Sequence, residues 1–359
     1  MHILVNTGGG DAPGLNAVIR AVTLSALRRG WKVTGIRRGY NGLLDEYPQG
    51  LVALDRDKVR GISHLGGTIL GTVNRGNPFE YPVKENGNAV LKDISDTVVQ
   101  RIGDIGADGL IAIGGDGSLR IAQKFIDKGL KVIGVPKTID NDLSATQVTF
   151  GFDSAVSVAT DAIDRLHSTA EAHERVMVVE LMGRYAGWIA LNAGISGTAD
   201  VILIPEIEYD IEKVCAAIRH RYEIGRNFAI VVAAEGAKPK GGTLSIKGKE
   251  VGREVILGGI AEHLAAQIHE LTGCETRSLV LGHLQRGGGP TTFDRLLALR
   301  FGCAAVRMAE QGLWGQMVAF QPPLMVAVPI KEAISKMKTV PLDHDTIYAA
   351  RDLGICLGD

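Results

Sequence analysis

The chain has 359 residues, 45% of them hydrophobic, which is more than one ordinary core usually holds, so two lobes are expected. Its formal net charge of −1 points to no nucleic-acid partner and no membrane surface, so any anion site must be local. The cysteines, Cys215, Cys274, Cys303 and Cys356, lack CxxC spacing, which argues against a zinc ribbon and against a disulfide framework. No apolar run is long enough to span a bilayer, and Met1 leads straight into a strand-like segment, so the expected location is the cytoplasm.

Short apolar runs alternate with helical patterns almost throughout. His2 to Thr7 predicts a strand, followed by the loop Gly8-Gly-Gly-Asp-Ala-Pro-Gly14 and a helix carrying Leu15, Val18, Ile19, Val22 and Ala26 on one face. Lys32 to Ile36 reads as a second strand, and Gly66 to Arg75 is glycine-rich with a basic end. A helix over Ile94 to Ile105 precedes a strand, Gly109 to Ile113, that breaks at Gly114-Gly115. Ser118 can cap the next helix, and Lys131 to Val135 is a buried strand leading into Pro136-Lys-Thr-Ile-Asp-Asn-Asp142. The rhythm restarts after Asp153 with a long helix to about His173, a strand at Val176 to Leu181 and a helix after Gly183. Strands follow at Val201 to Ile204 and Phe228 to Ala233, then a polar, glycine-rich stretch from Lys238 to Gly252 that reads as an exposed hairpin or loop. A helix from Val255 to Leu271, a strand at Ser278 to Gly282 and a helix near Asp294 to Met308 complete the pattern. Alternating strands and helices imply right-handed βαβ units and parallel sheets, so the expected class is α/β in two lobes.

A strand that ends in glycines and runs into a helix offers backbone N–H groups and a positive dipole end to a phosphate. Gly8–Gly14 and Gly114–Ser118 both have this form. Neither a Walker P-loop nor GxGxxG spacing is present, so ordinary P-loop and dinucleotide readings lose support. Asp116 lies between glycines at a helix start, where a carboxylate holds Mg²⁺ against polyphosphate oxygens or simply caps the helix. In Thr138, Asp140 and Asp142 a carboxylate stands ready to accept a proton from a sugar hydroxyl attacking phosphorus; the same residues also suit an Asx-type turn. Arg175, Arg184, Arg277 and Arg286, with His283 and Glu235, fall at strand edges, where α/β proteins place ligands. Guanidinium forks match phosphate oxygens, although any one arginine alone is more often a surface ion pair.

Five strings occur in order from near residue 2 to about residue 310: Gly9-Gly-Asp-Ala-Pro-Gly14, Gly115-Asp-Gly-Ser118, Thr138-Ile-Asp-Asn-Asp142, Met182-Gly-Arg184 and Gly282-His-Leu-Gln-Arg-Gly-Gly288. Together they make the chain resemble the phosphofructokinase family. The resemblance implies the phosphofructokinase fold, α/β with two Rossmann-like three-layer lobes and mainly parallel sheets. It implies a donor-binding lobe over 1–151 plus about 286–335, and a sugar-phosphate lobe over 152–285 plus about 336–359. It also implies transfer of the γ-phosphate of ATP to the 1-hydroxyl of fructose 6-phosphate, with Mg²⁺ as cofactor. In family terms Asp140 is the catalytic base, Thr138 and Arg184 act beside it, and Asp116 engages the metal. Gly9, Asn74 or Arg75, Gly115, Asp116, Gly117, Ser118 and Lys137 face the donor. Thr138, Asp140, Asp142, Met182, Gly183, Arg184 and Glu235 contact the sugar. Arg175, Arg277, His283 and Arg286 hold the 6-phosphate side, with Arg175 and Arg277 reaching in from a neighbouring subunit, which implies a homodimer or homotetramer.

The family divides by phosphoryl donor at two positions, and this chain is mixed. Gly117 is what ATP users carry, and Lys137 is what pyrophosphate users carry. An aspartate in place of Gly117 would crowd and repel the α-phosphate, whereas a flexible lysine folds aside into solvent or an ion pair. ATP is therefore the expected donor, with the pyrophosphate-dependent transferase as the alternative. A non-catalytic sugar-phosphate sensor would have no need to keep Asp116, Asp140 and Arg184 together.

Overall fold

The computed structural model describes residues 1–44, 46–73, 76–85, 88–243, 246–248 and 256–359. Asn74 and Arg75, expected at the donor site, and much of the 238–252 stretch lie outside the described residues. The chain divides into two compact units, one of residues 1–139, 143–153 and 286–337 and the other of residues 140–142, 154–285 and 338–359. Among the described residues no helix is long and apolar enough to cross a membrane.

The first unit is built on a seven-stranded sheet. From edge to edge it runs Leu324–Pro329, Gln316–Gln321, Val132–Pro136, Gly109–Gly114, His2–Thr7, Lys32–Ile36 and Leu51–Ala53. The inner strands are parallel, and both edge strands are antiparallel. His2–Thr7 and Gly109–Gly114 are buried along their whole length, which is why Ile3–Val5 and Leu110–Ile113 read as apolar runs. Successive side chains go to opposite faces. Ile3, Val5, Ile111 and Ile113 pack with the helices Leu15–Leu27 and Thr292–Glu310. Leu4, Leu110 and Ala112 pack instead with Ser95–Asp104 and Asp116–Asp127. Helices on both faces make this unit the three-layer α/β arrangement that strand and helix alternation implies. A Cβ on Gly302 would meet Ala21 Cβ and Val18 O at 2.7 Å, so only glycine lets Thr292–Glu310 lie this close to Leu15–Leu27.

The second unit has a fully parallel four-stranded sheet in the order Thr276–Val280, Val176–Leu181, Ala229–Ala234, Val201–Leu203. The helices Ile211–Glu223 and Ile260–Thr272 cover one face through Val214, Ile218, Leu264 and Ile268. Trp188–Ser196 packs on the strands Val201–Leu203 and Ala229–Ala234. The periodicity from Val255 predicts a helix there, but the helix begins at Ile260. Gly258 and Gly259 turn through positive φ of 133° and 87°, and the buried Glu180 carboxylate then accepts the Gly259 and Ala261 N–H groups at 3.0 and 3.2 Å. A carboxylate at a helix start answers both the unpaired donors and the dipole.

Candidate active site

Three neighbouring parallel strands of the first unit, His2–Thr7, Gly109–Gly114 and Val132–Pro136, end on the same side, so the loops that follow emerge together. Gly8 N–H donates to Ile113 O at 2.9 Å, and Lys137 N–H donates to Gly114 O at 3.0 Å. The approach is close, most of all at Gly114. A Cβ on Gly8 would lie 2.7 Å from Ser118 Oγ, and one on Gly114 only 2.2 Å from Ser118 Cβ. Gly115 would bring its Cβ to 3.1 Å from Lys137 O and 3.7 Å from Thr138 Cβ. Gly117 differs from all of these. It lies within the helix Asp116–Asp127, and a Cβ there meets nothing within 4 Å, so the fold itself does not require glycine at this position.

Asp116 opens that helix, and its Oδ2 accepts from Arg120 Nε at 2.7 Å while the side chain stays 28% exposed. Among the described residues no group of three or more His, Cys, Asp or Glu side chains could hold a metal ion. A single hard carboxylate such as Asp116 suits a cation that keeps much of its water, as Mg²⁺ does.

Of the alternatives the sequence leaves open for Lys137, a solvated side chain is not the one seen. It is 3% exposed, and its ammonium donates to the Gly10 carbonyl, 3.6 Å from where a Cβ on Gly9 would stand. Burial of an ammonium is tolerated only against such acceptors. Arg286 also belongs with the first glycine loop. Its Nη1 donates to Asp11 O at 2.9 Å and would touch a Cβ on Gly10 at 2.8 Å. Arg286 falls in the first unit, whereas Arg175, Arg277 and His283 fall in the second.

In the second unit, pairing continues past the ends of two adjacent strands. Glu235 N–H donates to Leu181 O at 2.8 Å, and Gly236 N–H to Gly183 O at 3.2 Å, which sets Met182–Arg184 beside Glu235. A Cβ on Gly236 would sit 2.0 Å from Arg184 O, so this approach requires glycine. Gln285 Oε1 accepts from Met182 N at 3.3 Å, which draws the short 3₁₀ turn Gly282–Arg286, with exposed His283, toward the same end of the sheet. The Arg184 guanidinium lies over the Tyr185 ring, 5.5 Å from its centroid.

Arg175 and Arg277 do not join this group within one chain. Both sit at strand starts and share Glu275 Oε1, at 2.9 and 2.6 Å, and Arg175 leads the contacts that hold the Glu275 carboxyl below its usual range. A six-residue strand, about 20 Å long at ~3.3 Å per residue, separates them from Met182–Arg184.

Thr138 is buried, and its carbonyl accepts from Thr149 Oγ1 at 2.7 Å. Asp140 and Asp142 are half-buried on either side of Asn141, which takes a left-handed φ of 51° that asparagine tolerates better than most residues. The residue that holds this turn carries no signal in the sequence. Lys338 N–H donates to Asp142 O at 2.8 Å, and Lys338 Nζ to Asn141 Oδ1 at 2.8 Å.

Comparison with known proteins agrees with this arrangement of loops and strands. The family profile described as phosphofructokinase matches residues 2–309. The ATP-dependent 6-phosphofructokinase 2 of Clostridium perfringens is 49% identical over 99% of this chain and 98% of its own length. A pyrophosphate–fructose 6-phosphate 1-phosphotransferase of Amycolatopsis mediterranei is also 49% identical, over 96% of this chain and 97% of its own. Among solved structures, the Pichia pastoris phosphofructokinase in its T-state superposes with a TM-score of 0.80 at 30% identity, covering 99% of this chain and 37% of that longer one. With glycine loops, acidic turn and strand-end residues in one order and one fold, the chain belongs to the phosphofructokinase family.

Proposed function

We infer that the protein transfers the γ-phosphate of ATP to the 1-hydroxyl of fructose 6-phosphate, giving fructose 1,6-bisphosphate and ADP as a step of glycolysis in the cytoplasm. The observation that carries this reading is Gly115, at the start of the helix Asp116–Asp127, lying beside Thr138, two residues before the Asp140 carboxylate. A phosphate-binding helix start and a proton acceptor are thereby tied along one short stretch of chain. The Asp140 carboxylate takes the proton of the 1-hydroxyl as that oxygen bonds to the γ-phosphorus. The bond from phosphorus to the bridging oxygen breaks, and ADP leaves with the electron pair. Backbone N–H groups of the two glycine loops hold the donor phosphates, and Arg184 offsets charge that develops on the transferred group. Met182, Gly183 and Glu235 orient the sugar. Asp116 would hold Mg²⁺, which when bound would supply positive charge to the donor oxygens and the leaving group.

A pyrophosphate donor is the second reading, favoured by one specific feature: the Lys137 ammonium already lies against the first glycine loop. Initial rates with fructose 6-phosphate and Mg²⁺, supplying ATP or pyrophosphate as sole donor, separate the two. ATP is expected to support turnover of about 1–100 s⁻¹, the usual range for kinases. Turnover with pyrophosphate alone would make Lys137 the deciding donor ligand and reverse the assignment. No turnover with either would leave a sugar-phosphate sensor.

Arg175 and Arg277 are assigned to the 6-phosphate of a neighbouring copy, because their own chain keeps them at the far end of the strands. The protein then works as a homodimer or homotetramer with shared sites. Asp140→Ser and Arg277→Ala proteins, each inactive alone, should regain turnover when dissociated and reassembled together, since some mixed sites carry neither change. Mixtures that stay as inactive as their parents would show that the arginines act elsewhere.

A further inference from the structure

The turn that carries Asp140 is braced by a residue 197 positions along the chain from Asn141. Lys338 grips it twice, through its backbone N–H on Asp142 O and its ammonium on Asn141 Oδ1, each at 2.8 Å. Lys338 is itself held. Its carbonyl accepts from Trp188 Nε1 at 3.0 Å, and its ammonium lies 5.9 Å from the centroid of the Trp188 ring. Trp188 is 8% exposed and begins the helix that follows the Met182–Gly187 loop. His344 packs edge-on against Trp188 at 5.2 Å, and the Glu206 carboxylate accepts from Gly187 N at 3.0 Å and Val340 N at 2.8 Å. The acidic turn and the loop bearing Arg184 are thus two ends of one brace within the second unit.

A structural pin alone does not need a charge here, since a neutral amide can hold Asn141 without the cost of burying an ammonium. A buried charge is justified when it answers another, and Asp142 is the acidic group acting on it. We propose that Lys338 is a positioning residue for phosphoryl transfer, fixing the Asn141–Asp142 turn and supplying the counter-charge to Asp142, so that the Asp140 base meets the sugar hydroxyl in one geometry. This rests on the phosphofructokinase reading above.

The environment of the ammonium gives the proposal a pH signature. Burial dominates and lowers its pKa from 10.5 to about 8, while the Asp142 carboxylate works in the opposite direction. Other titratable groups on the packed elements include Asp140 on the same turn, His344, in edge contact with Trp188, and Glu206, whose carboxyl burial pushes up. Below that pH Lys338 is charged and the turn is held; as pH rises through it the charge, and with it the turnover, declines.

The test measures kcat and KM for fructose 6-phosphate on both sides of that pH in wild type, Lys338→Arg and Lys338→Met, with thermal unfolding followed in parallel. Wild-type kcat is expected to decline with a midpoint of about 8. Lys338→Met should lose about 100-fold in kcat with KM changed only a few-fold, the mark of misplacement rather than lost binding. Lys338→Arg, whose guanidinium does not lose its proton, should recover much of the rate and lack the alkaline decline. A Lys338→Met enzyme with unimpaired kcat, or an alkaline decline that persists in Lys338→Arg, overturns the proposal. If Lys338→Met fails to fold, the Lys338→Arg profile decides alone. A wild type that transfers no phosphate sinks the family activity itself, whereas an active wild type with indifferent variants sinks only the role of Lys338.

Discussion

Replacing Asp140 by serine is expected to lower kcat by about 10³-fold, within the range that general-base catalysis contributes, while KM for fructose 6-phosphate stays within a few-fold. The separation follows from where the groups sit. The proposed proton acceptor is one half-buried carboxylate on a turn, whereas Met182, Gly183, Arg184 and Glu235 are fixed by pairing beyond the ends of Val176–Leu181 and Ala229–Ala234. The turn is held through Asn141 and Asp142, so the serine protein should fold and bind sugar. Stopped-assay rates and direct sugar binding by calorimetry check both halves. A variant that keeps more than about a tenth of wild-type kcat would return the base assignment to Asp142, the other carboxylate of the turn.

The second large effect is expected at Gly117. A Cβ on Gly114 would clash with Ser118 and one on Gly115 would press on Lys137 O, but a Cβ on Gly117 meets no protein atom within 4 Å. Gly117→Asp should therefore fold, and an acidic residue in the first turn of Asp116–Asp127 even suits the helix dipole. The added carboxylate would stand where the nucleotide's phosphates are proposed to lie. Two unit charges at ~4 Å and an effective dielectric of ~20 repel by about 4 kcal/mol, so kcat/KM for ATP should fall by about 10³-fold. Pyrophosphate, which has no α-phosphate esterified to a nucleoside, should suffer less, because Lys137 already faces the glycine loop. Equal losses with both donors would mean that Gly117 does not read the nucleotide, and an unfolded variant would mean that the open space has a structural use.

Much of the fold is legible because parallel strands buried on both faces are short, unbroken apolar runs bounded by glycine or proline. Gly109–Gly114 is the clearest case, and Val176–Leu181, despite its charged Glu180, has the bounds the sequence predicts. The edges are harder. Leu51–Ala53 is short and partly exposed, with no buried face to impose a pattern. The hairpin Gln316–Gln321 with Leu324–Pro329 is antiparallel, against the parallel rule of the interior, and its only marker is Pro322-Pro323. The helix Ile211–Glu223 escapes notice although Asp210 caps it through Glu212 N at 2.9 Å and Val214, Cys215 and Ile218 form its buried face.

The glycine loops and the acidic turn are visible because their chemistry is local in sequence. What sequence cannot supply is the company each residue keeps at long range. Lys338 is one lysine among several near the carboxyl end of the chain, and nothing next to it signals Asn141 or Trp188. Lys137 follows a strand and suits a solvated side chain as well as a donor ligand until its ammonium is found on the Gly10 carbonyl. Arg286 follows His283 by three residues, yet the chain turns between the two units there, so it ends beside Asp11.

The most direct measurement follows the phosphorus itself. The protein, ATP, Mg²⁺ and fructose 6-phosphate are incubated together, and ³¹P NMR records which resonances appear and disappear. The account predicts loss of the γ-phosphorus signal of ATP, with equal gains of ADP and of a phosphate ester at carbon 1 of fructose 1,6-bisphosphate. Free inorganic phosphate in place of the 1-ester, a new ester at another carbon, or an unchanged spectrum would contradict it.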